Sequence, residues 1–173
     1  MHRFSRLSLF TVALFAAVSL WVAGCGKSIG DACGNNVDCS IAGDRFCDIA
    51  PPGGYCSVEG CDIDTCPGDS VCVRFYTSIQ TEACTFDPVS PRGDCKVDER
   101  CVCDTSGDGT CTRTAHCAPE NSERRWCMKR CGDSGDCRAQ YECRSTGTLG
   151  AEPVPSLSKP HGEAAKFCVS SGQ

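Results

Sequence analysis

Nineteen cysteines in 173 residues constrain this chain more than any other feature. From residue 25 onward, Ile, Leu, Val and Phe together number twenty of 149 residues, and the only leucines are Leu149 and Leu157. That share falls below the roughly 20 % at which a chain builds a conventional core. A chain that cannot bury enough apolar surface is held by covalent cross-links instead. The expected fold class is therefore small, disulfide-rich and loop-dominated, with short β-hairpins and little helix apart from the N-terminal segment. Nineteen is odd, so one cysteine is left over for another role.

The N-terminus supplies that role. Met1–Arg6 carries Arg3 and Arg6 and no acid, and Leu7–Val22 is apolar apart from Ser8, Thr11 and Ser19. A basic stretch followed by a short apolar run reads as an export signal over residues 1–24. The run is shorter than the ~20 residues of a membrane-spanning helix. It ends in Val22–Ala23–Gly24–Cys25, which resembles the lipobox of bacterial lipoproteins. Small residues at 23 and 24 admit the backbone to a peptidase, and the Cys25 thiol is the nucleophile that accepts a diacylglyceryl group. The resemblance implies cleavage before Cys25 and acylation of its new amino group, with palmitate-type chains as the membrane anchor. Two or more chains hold a protein stably where one does not. Gly26, in place of an aspartate, implies outer-membrane sorting by the enteric rule.

Eighteen cysteines remain for disulfides, an even number that suits the oxidising cell envelope. Metal–thiolate clusters usually group Cys or His two to four residues apart. Here most spacings are longer, and the histidines after residue 25 are only His116 and His161. The same region has a net charge of −7, from 15 bases and 22 acids. Acids dominate residues 25–72, and a mild basic excess lies over 121–144 (Arg124, Arg125, Lys129, Arg130, Arg138, Arg144). That balance argues against nucleic-acid binding.

Along the chain we expect a tether over 25–30 and three cysteine-rich modules, at 31–60, 61–103 and 104–173. Residues 145–160, rich in Gly, Pro, Ser and Thr, are expected to form a flexible loop within the last. Val71–Tyr76 is the best strand candidate, with Glu82–Phe86 as its expected partner. Ser122–Arg130 has a capping serine, an early acid and late bases, the pattern of a short helix. Trp126 is expected to pack on a disulfide.

A cysteine–five residues–cysteine spacing recurs at 33/39, 66/72, 95/101, 111/117, 131/137 and 137/143. Aspartate precedes the second cysteine at Asp38–Cys39 and Asp136–Cys137, and aromatics precede cysteines at Phe46, Tyr55 and Tyr141. Over Asp31–Cys72 and Cys127–Cys143 this resembles the small cysteine-rich modules of bacterial surface lipoproteins, which are similar to EGF-like and Dickkopf N-terminal domains. The resemblance implies structural or binding units rather than enzymes. Cys101–Val102–Cys103 is tighter than that pattern, and spacing alone leaves the pairing open.

Two motifs bear on chemistry. Thr114–Ala115–His116–Cys117 and Gly132–Asp133–Ser134–Gly135 resemble the histidine and serine signatures of trypsin-like proteases. Only seventeen residues separate His116 from Ser134, too few for the two barrels that carry those motifs. We expect no catalytic residues and no enzyme. Asp104, Ser106 and Asp108 fit positions 1, 3 and 5 of a calcium loop, with Gly109 at 6, but position 12 is Ala115 rather than an acid. They are the candidate metal ligands, with a Gly-Asp-Gly turn as the competing reading; no other cofactor is expected.

The expected function is a lipid-anchored, disulfide-stapled envelope lipoprotein. It would meet the membrane through Cys25 and act as a binding or structural module toward an envelope or secreted protein. A disulfide-rich protease inhibitor presenting Lys129–Arg130 or Arg124–Arg125 is the alternative, and a weak calcium-binding surface module the second.

Overall fold

A computed structural model describes residues 26–77, 82–87, 90, 92–103, 115–147, 150–155 and 162–172. The described chain is small, loop-dominated and disulfide-rich, with strands of two to seven residues in four small sheets. Its one α-helical element, α1 (Asn36–Cys39), is a single turn.

Among the described residues ten strands follow one another. They are β1 (Phe46–Asp48), β2 (Tyr55–Ser57), β3 (Ser70–Tyr76), β4 (Ala83–Cys84), β5 (Glu99–Val102), β6 (Ala115–Pro119), β7 (Glu123–Lys129), β8 (Tyr141–Ser145), β9 (Ala151–Pro153) and β10 (Lys166–Ser170). All pairings are antiparallel: β1 with β2, β8 with β10, β7–β3–β9 as one sheet and β4–β6–β5 as another.

Eight disulfides are placed, and they obey one rule. Cys33–Cys47 interleaves with Cys39–Cys56, and Cys61–Cys72 with Cys66–Cys127. Cys84–Cys101 interleaves with Cys95–Cys117, and Cys131–Cys143 with Cys137–Cys168. Each set of four thus joins its first cysteine to its third and its second to its fourth. The third and fourth lie opposite one another across an antiparallel pair in every set: Cys47↔Cys56, Cys72↔Cys127, Cys101↔Cys117 and Cys143↔Cys168. Cys103 is disulfide-bonded as well.

The described residues therefore hold four copies of one stapled hairpin, and the copies are not strung end to end. The set 84–117 lies in the chain between β3 and β7, the two strands of the set that begins at Cys61. Cys66–Cys127 and the seven-residue pairing of β3 with β7 both cross the boundary expected between residues 103 and 104.

Three other expectations give way. Residues 123–129 form strand β7, not a helix; the helical part is a 3₁₀ turn at Glu120–Ser122, where Ser122 Oγ donates to the Pro119 carbonyl at 2.8 Å. Pairing along all of β3 outweighs the favourable charge order for a helix, as tertiary context commonly does. Val71–Tyr76 is a strand, but its partners are β7 and β9; Ala83–Cys84 pairs instead with β6. Within the stretch 145–160, Ala151–Pro153 is an ordered edge strand on β3.

Three of the hairpins share a core. Ile29 from the tether and Tyr55 from the first set meet Val73 and Met128 from the second and Tyr141, Phe167 and Val169 from the last. Trp126 lies between the rings of Phe46 and Phe75, at 6.0 and 6.2 Å, and Phe75 meets Phe167 edge-on at 5.9 Å. The remaining hairpin has a small cluster of its own, Cys101–Cys103–Ala115, and its Val102 and Ala118 pack with Tyr76 of β3. Tyr55 ties the shared core together, because its hydroxyl accepts from Lys129 N at 2.9 Å and donates to the Cys168 carbonyl at 3.3 Å.

Candidate functional site

The repeated staple is the most elaborate local structure in the described residues. In each set the residue after the first cysteine donates its N–H to the side chain of the residue before the second. Gly34 donates to Asp38 Oδ2 at 2.7 Å and Asp62 to Thr65 Oγ1 at 2.8 Å. Thr85 donates to Asp94 Oδ1 at 2.7 Å and Gly132 to Asp136 Oδ2 at 2.7 Å. A short polar side chain at that position folds the first loop back on itself, as Asx and Ser/Thr turns do. These backbone donors hold the carboxyls of Asp38 and Asp136 below the usual aspartate range, and the N–H of Thr85 does the same for Asp94.

The first and last sets match further. Asn35 caps α1 and Asp133 caps the 3₁₀ turn Ser134–Asp136, both with the reciprocal capping-box bonds. Asn36 Oδ1 accepts from Cys47 N at 2.9 Å, and Ser134 Oγ accepts from Cys143 N at 3.2 Å. Ser134 thus stands where Asn36 stands, and its oxygen holds the third cysteine's backbone. The protease-like Gly132–Asp133–Ser134–Gly135 is here a staple loop. His116 belongs to another set, where it precedes the fourth cysteine on β6. Tyr55, Trp126 and Phe167 hold the same place in the other three sets. The His116 Nδ1 is buried with no hydrogen-bond partner among the described residues.

Four sulfur triads (Cys33/39/47, Cys61/66/72, Cys84/95/117 and Cys131/137/168) lie within 4.8 Å, close enough for a metal. Each contains a bonded pair, and the third sulfur is bonded to the set's remaining cysteine. A disulfide sulfur carries no thiolate, so these groups are staples rather than metal centres. Asp104, Ser106 and Asp108, the candidate calcium ligands, and the lipidation candidate Cys25 lie outside the described residues.

The paired bases expected to present an inhibitor loop sit elsewhere. Arg124, Arg125 and Lys129 are in β7, hydrogen-bonded into the sheet, and Arg130 follows it directly, bridged to Phe167. Arg125 Nε is held by Glu123 Oε1 at 2.7 Å and Arg125 Nη1 faces Asp62 at 3.5 Å. A substrate-like inhibitor needs its key residue on an exposed loop, and a ladder strand withholds the backbone that a protease must engage.

The sequence signals did not reveal a buried charge cluster where β3 meets β7 and β9. Arg74 Nη2 pairs with Glu152 Oε2 at 2.6 Å, and Arg74 Nη1 lies 4.0 Å from Glu123 Oε2. The Tyr76 hydroxyl donates to Glu123 Oε2 at 2.9 Å. Burial pushes the Glu152 carboxyl up despite Arg74 beside it. Burial also acts on Glu123, but hydrogen bonds from Arg125 and Tyr76 and the charges of Arg125 and Arg74 outweigh it and hold its carboxyl low. Strand register alone aligns Arg74 with Glu152 and Arg125, so the cluster becomes visible only once the pairing is known.

No helix among the described residues is long and apolar enough to cross a membrane. Neither a protein-family model, nor a curated protein, nor a solved structure matches the chain.

Proposed function

We propose that this chain is a lipid-anchored lipoprotein of the cell envelope. In this reading its disulfide-stapled ectodomain serves as a binding or structural module. The observation that carries the reading is cysteine usage. Every described cysteine is in a disulfide, and of the two that lie outside the described residues, Cys25 and Cys111, Cys25 ends a signal-like segment and a lipobox-like Val22–Ala23–Gly24. Disulfides at this density persist where the environment oxidises thiols, which agrees with export. Lipid on Cys25 would hold the ectodomain at the membrane, in the outer membrane by the sorting expectation from Gly26. A rigid, cross-linked body of four hairpins offers fixed loops to an envelope or secreted protein partner at little ordering cost. No specific observation favours the inhibitor reading over this one.

The test is an intact mass of protein taken from its native membrane, before and after reduction. The expected product starts at Cys25, carries acyl chains, and gains two hydrogens per disulfide on reduction. A product with an unmodified Cys25 in the soluble fraction overturns the anchoring.

A further inference from the structure

The described surface exposes large apolar side chains at four places: Val37 (68 % exposed), Ile41 (87 %), Ile49 (74 %) and Val97 (79 %). Three of the four belong to the first hairpin set. Val37 lies on α1 and Ile41 two residues beyond Cys39, so both have Cα atoms within about 7 Å of Cys39, the reach of two residues. Neither takes part in any of the core clusters.

The N-terminal tether ends at the same spot. Ile29 is buried in the shared core, and the Gly30 N–H is bonded to the Cys56 carbonyl at 2.9 Å. Arg45 Nη1 donates to the Lys27 carbonyl, and Lys27 Nζ donates to the Ala32 carbonyl at 2.7 Å. A side chain at Gly26 would meet the Cys39 carbonyl at 3.3 Å and the Arg45 guanidinium at 3.6 Å. The tether is therefore laid against the first hairpin down to its first described residue. One trans peptide link, about 3.8 Å between Cα atoms, joins Gly26 to Cys25.

We infer that the Val37–Ile41 edge of the first hairpin seats in the headgroup–acyl boundary of the bilayer that holds Cys25. This rests on the lipid anchor proposed above. The span from Ile29 to Cys25 is at most about 14 Å when extended. An anchored protein therefore cannot lift this edge far from the surface, while apolar side chains of interfacial segments sit about 5–10 Å deep. The stretch 26–50 that carries the edge holds Asp31, Asp38, Asp44 and Asp48 against only Lys27 and Arg45. Attraction to anionic lipid is thus not what holds it, and insertion of Val37 and Ile41 is. The ectodomain consequently has one orientation, set by the first hairpin, whereas Val97 belongs to a different one.

The experiment uses the full lipidated protein in vesicles of phosphatidylcholine with or without brominated acyl chains. Tryptophan is introduced as Ile41→Trp or, in a second variant, Val97→Trp; Trp126 supplies the same background in both. Bromolipid is expected to quench the Ile41→Trp emission at least two-fold more than that of Val97→Trp, which matches the unsubstituted protein. Equal quenching of the two variants, or none, in protein whose mass shows acylated Cys25 overturns the seat and leaves the anchor standing. Absence of acyl mass on Cys25 overturns the anchor on which the seat rests. An Ile41→Trp emission that shifts to the blue only when envelope proteins are added, without bromolipid quenching, assigns the edge to a protein partner and overturns the seat.

Discussion

Arg74 and Glu152 face each other across β3 and β9 at 2.6 Å, with side chains only 5 % and 9 % exposed. Removing one partner strands the other in a dry site, a change that costs about 3–5 kcal/mol where buried pairs have been broken. Arg74→Met should fall in that range in urea denaturation with the disulfides intact. Replacing both residues by methionine should recover most of the loss, because each charge's desolvation is removed together. Burial already pushes the Glu152 carboxyl up. In Arg74→Met alone, stability should therefore rise as pH falls through the raised Glu152 titration. A double variant no more stable than Arg74→Met would contradict this account.

Tyr55 sets a limit at the alkaline end. Burial raises its hydroxyl from 10.0 to about 12, partly offset by the hydrogen bond from Lys129. A group raised in the fold contributes stability that is complete below its unfolded value and lost as pH rises through the folded one. Stability should therefore fall between about 10 and about 12, tracked by phenolate absorbance. Tyr55→Phe should remove this component. It leaves Lys129 N and the Cys168 carbonyl unpartnered, a loss of about 1–3 kcal/mol at neutral pH. An unchanged alkaline limb in Tyr55→Phe would assign the transition to other groups.

Within the second staple, the two disulfides close loops of very different length. Cys66–Cys127 spans 61 residues and Cys61–Cys72 spans 11. Chain-entropy scaling gives about 4 kcal/mol for the longer and about 3 kcal/mol for the shorter. Cys66→Ala/Cys127→Ala should accordingly lower the denaturation midpoint more than Cys61→Ala/Cys72→Ala. The reverse order would show that packing around the Cys61 pair, rather than loop closure, governs this hairpin.

Gly54 and Gly43 separate backbone conformation from crowding. Both have positive φ, +67° and +79°. A Cβ at Gly54 would lie 2.1 Å from the Cys33 carbonyl oxygen, whereas at Gly43 nothing lies within 4 Å. Gly43→Ala should cost only the left-handed penalty of about 1–2 kcal/mol. Gly54→Ala should prevent the first staple from closing, seen as loss of the Cys33–Cys47 and Cys39–Cys56 peptides in a non-reducing digest. Native pairing in Gly54→Ala would show that the Cys33 backbone yields.

The fold class was legible because cysteine count and apolar poverty are properties of composition. The repeat was legible only in part, for a geometric reason. The spacing of five residues marks the first and second cysteines at 33/39 and 131/137, but the second and third at 66/72, 95/101 and 137/143. One spacing thus hides two structural positions. Asp38 and Asp136 announced the loop-closing side chain, while Thr65 and Asp94 do the same work across first-to-second gaps of different length. The fourth cysteine of the second set cannot be reached by local pattern at all, because Cys127 returns only after another complete staple. Misreading Ser122–Arg130 as a helix has the same origin: its strand partner, Ser70–Tyr76, is remote in sequence.

The interleaving of the staples has a consequence for how the chain is made. Every placed disulfide passes over at least one other cysteine, so none joins neighbours in order of synthesis. An oxidant acting on thiols as they emerge, each with the last, would form none of the placed bonds. Cys66 in particular must wait while the four cysteines of an entire later hairpin pass before Cys127 arrives. Maturation therefore depends on reshuffling by thiol–disulfide exchange, on a timescale of seconds to hours. A host lacking a disulfide isomerase should accumulate fully oxidised but mispaired chains.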